Sequence, residues 1–421
     1  MTSALVAVRH RIAAAGSSLR VRNYRLYFFG QSVSVAGSFM QTLAIAFLTL
    51  RVTDSGAALG IVTATRLLPF LVLGPLGGVI ADRYDKRRLL FLTQTSSAVG
   101  SIVFAVVDLT GVASYPLVLA LSLVLGCLTV VDNPARQSLI AELVDRGALA
   151  NAVVLNSVSI NVARLLGSVA GGTLVAAIGT PACFVINAAS FGAVLLSLAL
   201  MRTDEIARAP RAPRAHGQIR EGVRYAARTP ELAVPLIMLT VTGILAYEFP
   251  TSMPLLATDT FGGTAATYGI MAAVMAIGGV VGGFIAAGRT TRPHPRGLAL
   301  TCIGWGAAIL AAGLAPSVWT ACLALLFVGY GSITFNSTAK TTLQLASRPE
   351  LRGRVMALWA MAWGGGSVIG APLVGWAAEQ YGARWGLIIG GAPTVLLGLI
   401  MLPYLHRRAT DGGVGRASEA R

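Results

Sequence analysis

Twelve stretches of this chain are each apolar for long enough to cross a lipid bilayer: residues 27–50, 57–81, 89–107, 116–135, 151–178, 183–200, 232–258, 268–288, 298–314, 317–339, 355–378 and 385–404. The hydrocarbon layer is about 30 Å thick and a helix rises about 1.5 Å per residue, so roughly 17 to 25 residues suffice. Inside that layer no water pairs with a peptide N–H or C=O, and a crossing segment must satisfy its backbone internally. The expected fold is therefore an all-α membrane protein with twelve transmembrane helices. Composition agrees: 55% of the 421 residues are hydrophobic and 12% are charged, with mean hydropathy +0.71. Soluble domains average about a quarter charged.

The charges that remain are sorted by side. Of 33 Lys and Arg residues, 29 fall in the N-terminal arm, the even-numbered loops and the tail. Only Arg51 and Arg384 fall in the odd-numbered loops, and Arg66 and Arg164 lie inside spans. By the positive-inside rule both termini are expected in the cytoplasm, with the chain crossing the cell membrane many times. The net charge of +16 then needs no nucleic-acid partner, because the bases are scattered between apolar runs instead of forming one soluble surface. The N-terminal ALVAV patch is followed by no small-residue cleavage site, so no cleaved signal is expected. Cys127, Cys183, Cys302 and Cys322 sit in apolar runs without C-x-x-C spacing and predict neither a disulfide framework nor a metal site.

One long hydrophilic link separates six spans from six. The expected organisation is an arm over 1–26, a first six-helix bundle over 27–200, a linker over 201–231, a second bundle over 232–405 and a tail over 406–421. Within the linker, IREGVRYAARTPEL has the pattern of a short amphipathic surface helix. A constant offset of 203 residues pairs Gly126 with Gly329, Asn133 with Asn336, Gly167 with Gly370, Gly172 with Gly375 and Gly179 with Gly382. The halves read as a duplication.

Between spans 2 and 3 the chain reads GGVIADRYDKRRLL, with six of the seven residues over 82–88 charged. Together with the six-plus-six organisation, GxxADRxxKRR resembles the loop signature of the major facilitator superfamily. DNPARQSLIAEL at 132–143 and NVARLLGSVAGG at 161–172 are similar to its bacterial drug and siderophore exporters, among them the enterobactin and macrolide efflux proteins. Asp85 stands where the signature usually has glycine, and the second-half copy at 282–297 has lost its acidic residue. The resemblance implies two six-helix bundles rocking about a central cavity. It also implies that Asp82 acts as a conformational latch, its carboxylate set against the N-terminal end of span 11 near 353–355, where unpaired N–H groups favour an anion. Arg83 and Arg87 either share that latch or only anchor the loop, and Asp132 is a candidate partner for one of them.

Charges deep inside spans are expensive, at least about 2.5 kcal/mol each, and mark cavities or partners. Counted from the expected cytoplasmic ends, Arg66, Arg164 and Glu248 lie roughly 22, 20 and 24 Å deep. Glu248 is the sole acid there, a candidate for proton coupling; the competing readings are a fixed ion pair with one of the arginines and a position near enough to the outer face to be solvated. Gln31, Gln41, Tyr247, Asn336 and Trp359 occupy spans that line the cavity in the resembled family, and each has the alternative of satisfying a neighbouring helix. Gly167, Gly171, Gly172, Gly370, Pro372 and Gly375 are read as close-packing positions, since small residues let helices approach.

No G-x-S-x-G or H-E-x-x-H motif occurs, and all four histidines lie in loops or tails, so an enzyme is not expected. The expected function is secondary export of small amphiphilic drugs or siderophores by proton antiport. A lysophospholipid flippase, a nutrient importer of the same fold and a non-transporting receptor are the alternatives. Expected partners are a small-molecule substrate, the lipid bilayer and protons, with no cofactor, no nucleic acid and a monomeric chain.

Overall fold

The computed structural model describes residues 17–206, 218–288, 295–348 and 351–418, all of them helix, turn or irregular backbone with no strand. Among the described residues, twelve helical segments are long and apolar enough to span a membrane, as the hydropathy pattern predicts. The chain divides into two compact units. One comprises Met1–Leu48 with Val72–Pro213, the other Thr49–Leu71 with Arg214–Arg421. The boundary cuts through the first two helices, so the start of the second span belongs to the second unit.

The helices of the first six spans are α1 (Arg22–Thr53), α2 (Gly56–Arg83), α3 (Lys86–Leu109), α4 (Tyr115–Leu143), α5 (Arg146–Ile178) and α6 (Thr180–Ala199). In the first unit, Tyr24, Tyr27, Leu90, Leu139 and Leu198 are buried together as one apolar core drawn from α1, α3, α4 and α6. The Tyr24 hydroxyl donates to the Ala152 carbonyl at 2.8 Å, tying α1 to α5. Phe104 stacks on Phe184 at 5.0 Å, tying α3 to α6.

After the link comes a short helix, α7 (Gln218–Arg228); the basic stretch over 207–217 lies outside the described residues. The later helices are α8 (Pro230–Leu245), α9 (Phe249–Leu255), α10 (Ala265–Gly288), α11 (Pro295–Gly313), α12 (Val318–Ala346), α13 (Arg352–Gly364), α14 (Ser367–Tyr381) and α15 (Trp385–Ser418). Two spans expected to be continuous are broken. Span 7 is interrupted between α8 and α9, where Glu248 leaves helical geometry (φ −83°, ψ 34°). Pro250 follows at the start of α9; its ring and missing N–H bar a regular helix across the preceding turn. Non-helical backbone at membrane depth is tolerated where protein covers it. Ala246 and Phe249 on either side are indeed buried. Span 11 breaks at the glycine run Gly364–Gly365–Gly366 between α13 and α14.

Within the second unit, Glu379 of α14 caps the first turn of α2. It accepts from the Ser55 hydroxyl at 2.5 Å and from the Ala57 N–H at 2.9 Å, where the helix N-terminus favours a carboxylate.

The duplicated positions share backbone conformations. Gly179 ends α5 at φ 87°, ψ 175° and Gly382 ends α14 at φ 99°, ψ 153°. Both lie in a region that is essentially glycine-only. Gly382→Ala is therefore expected to cost about 1–3 kcal/mol, read as a lower midpoint for thermal loss of folded protein in detergent. A midpoint equal to the parent's would contradict that strain.

Candidate functional site

The charged knot is organised by the first unit's own helices. Asp82 and Arg83 are exposed in the last turn of α2. Asp85 turns back to cap α3, accepting from the Arg88 N–H at 2.9 Å, so the residue that departs from the family signature starts a helix. Lys86 pairs with Glu142 of α4 at 3.0 Å. The Arg87 guanidinium donates to the Leu198 carbonyl at 2.7 Å and lies over the Phe91 ring at 5.3 Å. A cation on the last carbonyls of α6 is favoured by that helix's dipole. Residues 82–88 with Leu139, Glu142, Thr203 and Ile206 line a cleft of about 690 Å³.

The expected pairing of Asp132 with Arg83 or Arg87 does not occur. Asp132 is buried and forms an ion pair with Arg136, one turn along α4. Its carboxylate also accepts from the Thr93 hydroxyl at 2.7 Å and the Gln94 amide at 2.6 Å, both on α3. A buried carboxylate is held by donors beside it, here on its own helix and on α3, while Arg83 is exposed and Arg87 donates to the Leu198 carbonyl. Thr93, Gln94 and Glu142 were not singled out from sequence. Only Glu142 carried a signal, as the acid of the quoted DNPARQSLIAEL stretch.

Of the three deep charges, Arg164 belongs to the first unit, and Arg66 and Glu248 to the second. Arg164 lies over the Phe39 ring at 5.2 Å, a packing role on α1. Arg66 is half-buried on α2. Glu248 is 2% exposed and sits at the break between α8 and α9. Its carboxylate has the Ser367 side chain as hydrogen-bond partner, and its Oε1 has none among the described residues. No ion pair to Glu248 exists among the described residues, so the fixed Glu–Arg pair weighed from sequence is not present.

The five polar candidates separate. Gln41 is buried in a polar cluster with Ser101 of α3 and Asn187 of α6, accepting from Ser101 at 2.6 Å and from the Asn187 amide. Both bonds use its Oε1 and tie α1 to α3 and α6, while its Nε2 has no partner among the described residues. Gln31 is 5% exposed and neither amide atom has a partner among the described residues, as expected of a side chain that meets water or a ligand. Tyr247, Asn336 and Trp359 come together in the second unit. Trp359 donates its indole N–H to Asn336 at 3.2 Å, and the Tyr247 hydroxyl donates to the Ser332 carbonyl at 3.3 Å. Trp363, Trp305 and Lys340 complete this group and were not anticipated. Trp363 and Lys340 carried a signal in spacing, following Trp359 and Asn336 by four residues on one helix face, and Trp305 carried none.

The glycine positions lie at helix crossings. A Cβ on Gly167 would stand 2.2 Å from the Ala36 carbonyl oxygen, and one on Gly370 would stand 1.6 Å from that of Ile244. One on Gly171 would meet Met40 at 3.0 Å, and one on Gly375 would meet the Gly56 oxygen at 2.2 Å. Gly172 is buried in α5, and Pro372 is inside α14. Residues 289–294 of the second-half signature copy lie outside the described residues.

A family model described as transmembrane secretion effector matches residues 13–413. The staphyloferrin A transporter of Staphylococcus aureus (strain NCTC 8325 / PS 47) is 28% identical over 261 residues. That match covers 61% of this chain and 64% of the relative, under two thirds of its length. The enterobactin exporter EntS of Shigella flexneri is 26% identical over 402 residues, covering 92% of this chain and 93% of the relative. The crystal structure of nucleoside transporter NupG matches with TM-score 0.73 at 14% identity, covering 91% of this chain and 98% of that one; the likeness is one of fold.

Proposed function

Because this chain belongs to the transmembrane secretion effector family of the major facilitator superfamily, we propose that it exports small amphiphilic molecules, drugs or siderophores, by alternating access in exchange for protons. It works as a monomer in the cell membrane with both termini in the cytoplasm, and its two bundles are the six-span halves 27–200 and 232–405. Similarity to a staphyloferrin A transporter and an enterobactin exporter supports siderophores as substrates.

Glu248 carries the coupling reading. A carboxylate that is 2% exposed, free of any ion pair among the described residues and placed where a span is interrupted is built to gain and lose a proton. Interrupted helices at membrane depth are where transporters of several folds hold coupling ions. Asp82, exposed where the charged knot begins, serves as the conformational latch.

The test uses inverted membrane vesicles energised by an acid interior. Vesicles containing the protein are expected to accumulate a siderophore or macrolide probe, and a protonophore should abolish that accumulation. Accumulation that survives the protonophore would exclude antiport. The same preparation checks orientation: a membrane-impermeant maleimide should reach Asp204→Cys from the cytoplasmic side and Val112→Cys only from the other. Labelling of both from one side would refute the topology.

A further inference from the structure

The second unit carries a run of aromatic rings that ends in a cation. Trp359 and Trp363, one turn apart on α13, are nearly parallel, with centroids 5.9 Å apart and planes 8° from each other. Tyr247 meets Trp363 edge-on at 6.1 Å and Trp305 at 4.7 Å, and Trp305 stacks on Phe335 at 5.6 Å. At the other end the Lys340 ammonium lies 4.7 Å from the Trp359 centroid.

Three features of this wall bear on what it binds. The indole N–H of Trp359 and the hydroxyl of Tyr247 are already committed to Asn336 and Ser332, so the wall offers ring faces in place of a hydrogen-bond code. Trp305 and Phe335 are buried behind it and fix its shape, while Trp363 is 41% exposed and Trp359 and Tyr247 are partly exposed. Lys340 is exposed, whereas Glu248, beside Tyr247 in sequence, is buried against Gly370 on α14. A ring stacked on Trp363 thus lies next to Trp359, which carries the exposed Lys340 ammonium, while the Glu248 carboxylate is buried.

Aromatic faces by themselves attract cations. Here the ammonium of Lys340 already occupies Trp359, so a second cation at the wall meets like-charge repulsion while an anion is attracted. We propose that this wall is a substrate platform selecting planar aromatic molecules that carry a negative charge, the ring stacking on Trp363 and the anion directed toward Lys340. The proposal rests on the export reading, whose substrate class it names.

Three probes separate the contributions: 1-naphthoate, 1-naphthylmethylammonium with the same ring and opposite charge, and octanoate with the charge but no ring. By calorimetry on the full chain in nanodiscs of zwitterionic lipid, naphthoate is expected to bind at least tenfold more tightly than either of the others. Trp363→Leu, at an exposed position that leaves folding intact, should weaken naphthoate at least tenfold. Lys340→Met should retain naphthalene binding and erase the preference between the charged pair. Equal or tighter binding of the ammonium probe, or an unchanged naphthoate affinity in Trp363→Leu, would overturn the proposal. So would quenching of Trp363 fluorescence by brominated acyl chains, which would show that the ring faces lipid. Gradient-driven transport of the ammonium probe but not naphthoate would sink the platform and leave export standing. Naphthoate binding that depends on Trp363, without gradient-driven transport, would do the reverse.

Discussion

Glu248→Gln is expected to reduce proton-driven transport to the level of vesicles lacking the protein, while membrane abundance stays near that of the parent. Glutamine keeps the shape and hydrogen-bonding capacity of a protonated carboxyl group but cannot ionise, so substrate binding should largely survive. Abundance is the discriminating measurement. A buried acid in a fixed ion pair would, once neutralised, strand its partner at a cost of about 3–5 kcal/mol, and the protein would be depleted. Glu248 has no such partner among the described residues. Asp132 provides the contrast, because it is buried, ion-paired to Arg136 and held by Thr93 and Gln94. Asp132→Asn is expected to lower abundance where Glu248→Gln does not. Full gradient-driven transport by Glu248→Gln would remove this residue from the coupling mechanism.

Gly370→Val should be the most damaging packing change, with little folded protein reaching the membrane. Even the first carbon of the new side chain would stand 1.6 Å from the Ile244 carbonyl oxygen and 3.0 Å from Glu248 Oε1. Overpacking in a well-filled core costs about 1–3 kcal/mol when side chains move aside. Here the obstacle is the backbone of α8, which gives way only if two helices separate, so the cost lies at or beyond the top of that range. Gly167→Val, the equivalent position of the first half, meets the Ala36 carbonyl at 2.2 Å and should act likewise. Gly78→Ala, with nothing within 4 Å of the new carbon, is the control that should express normally. Normal abundance of both valine variants, measured by fluorescence-detected size exclusion, would refute close packing as the role of these glycines.

These two cases divide what is readable from sequence from what is not. The twelve membrane-spanning helices were legible because the bilayer is a nearly uniform solvent: a run of apolar residues about 30 Å long has one way to satisfy its backbone, whatever its neighbours are. The close-packing glycines were legible for a related reason, since a repeated small residue at a fixed offset marks a crossing without naming the partner. By itself the sequence also determined that Arg66, Arg164 and Glu248 are charges within spans. Partners were decided only by the tertiary structure. Asp132 went to Arg136 instead of Arg83 or Arg87, the Gln41 carbonyl oxygen was taken by Ser101 and Asn187, and Glu248 was left without an ion pair among the described residues. Trp363, Trp305 and Lys340, on three helices, joined Trp359 and the Tyr247 of the interrupted span 7. Hydropathy acts along one segment at a time, whereas a side chain's partner depends on which faces of distant segments are packed together. That choice is made by the shape of the whole core.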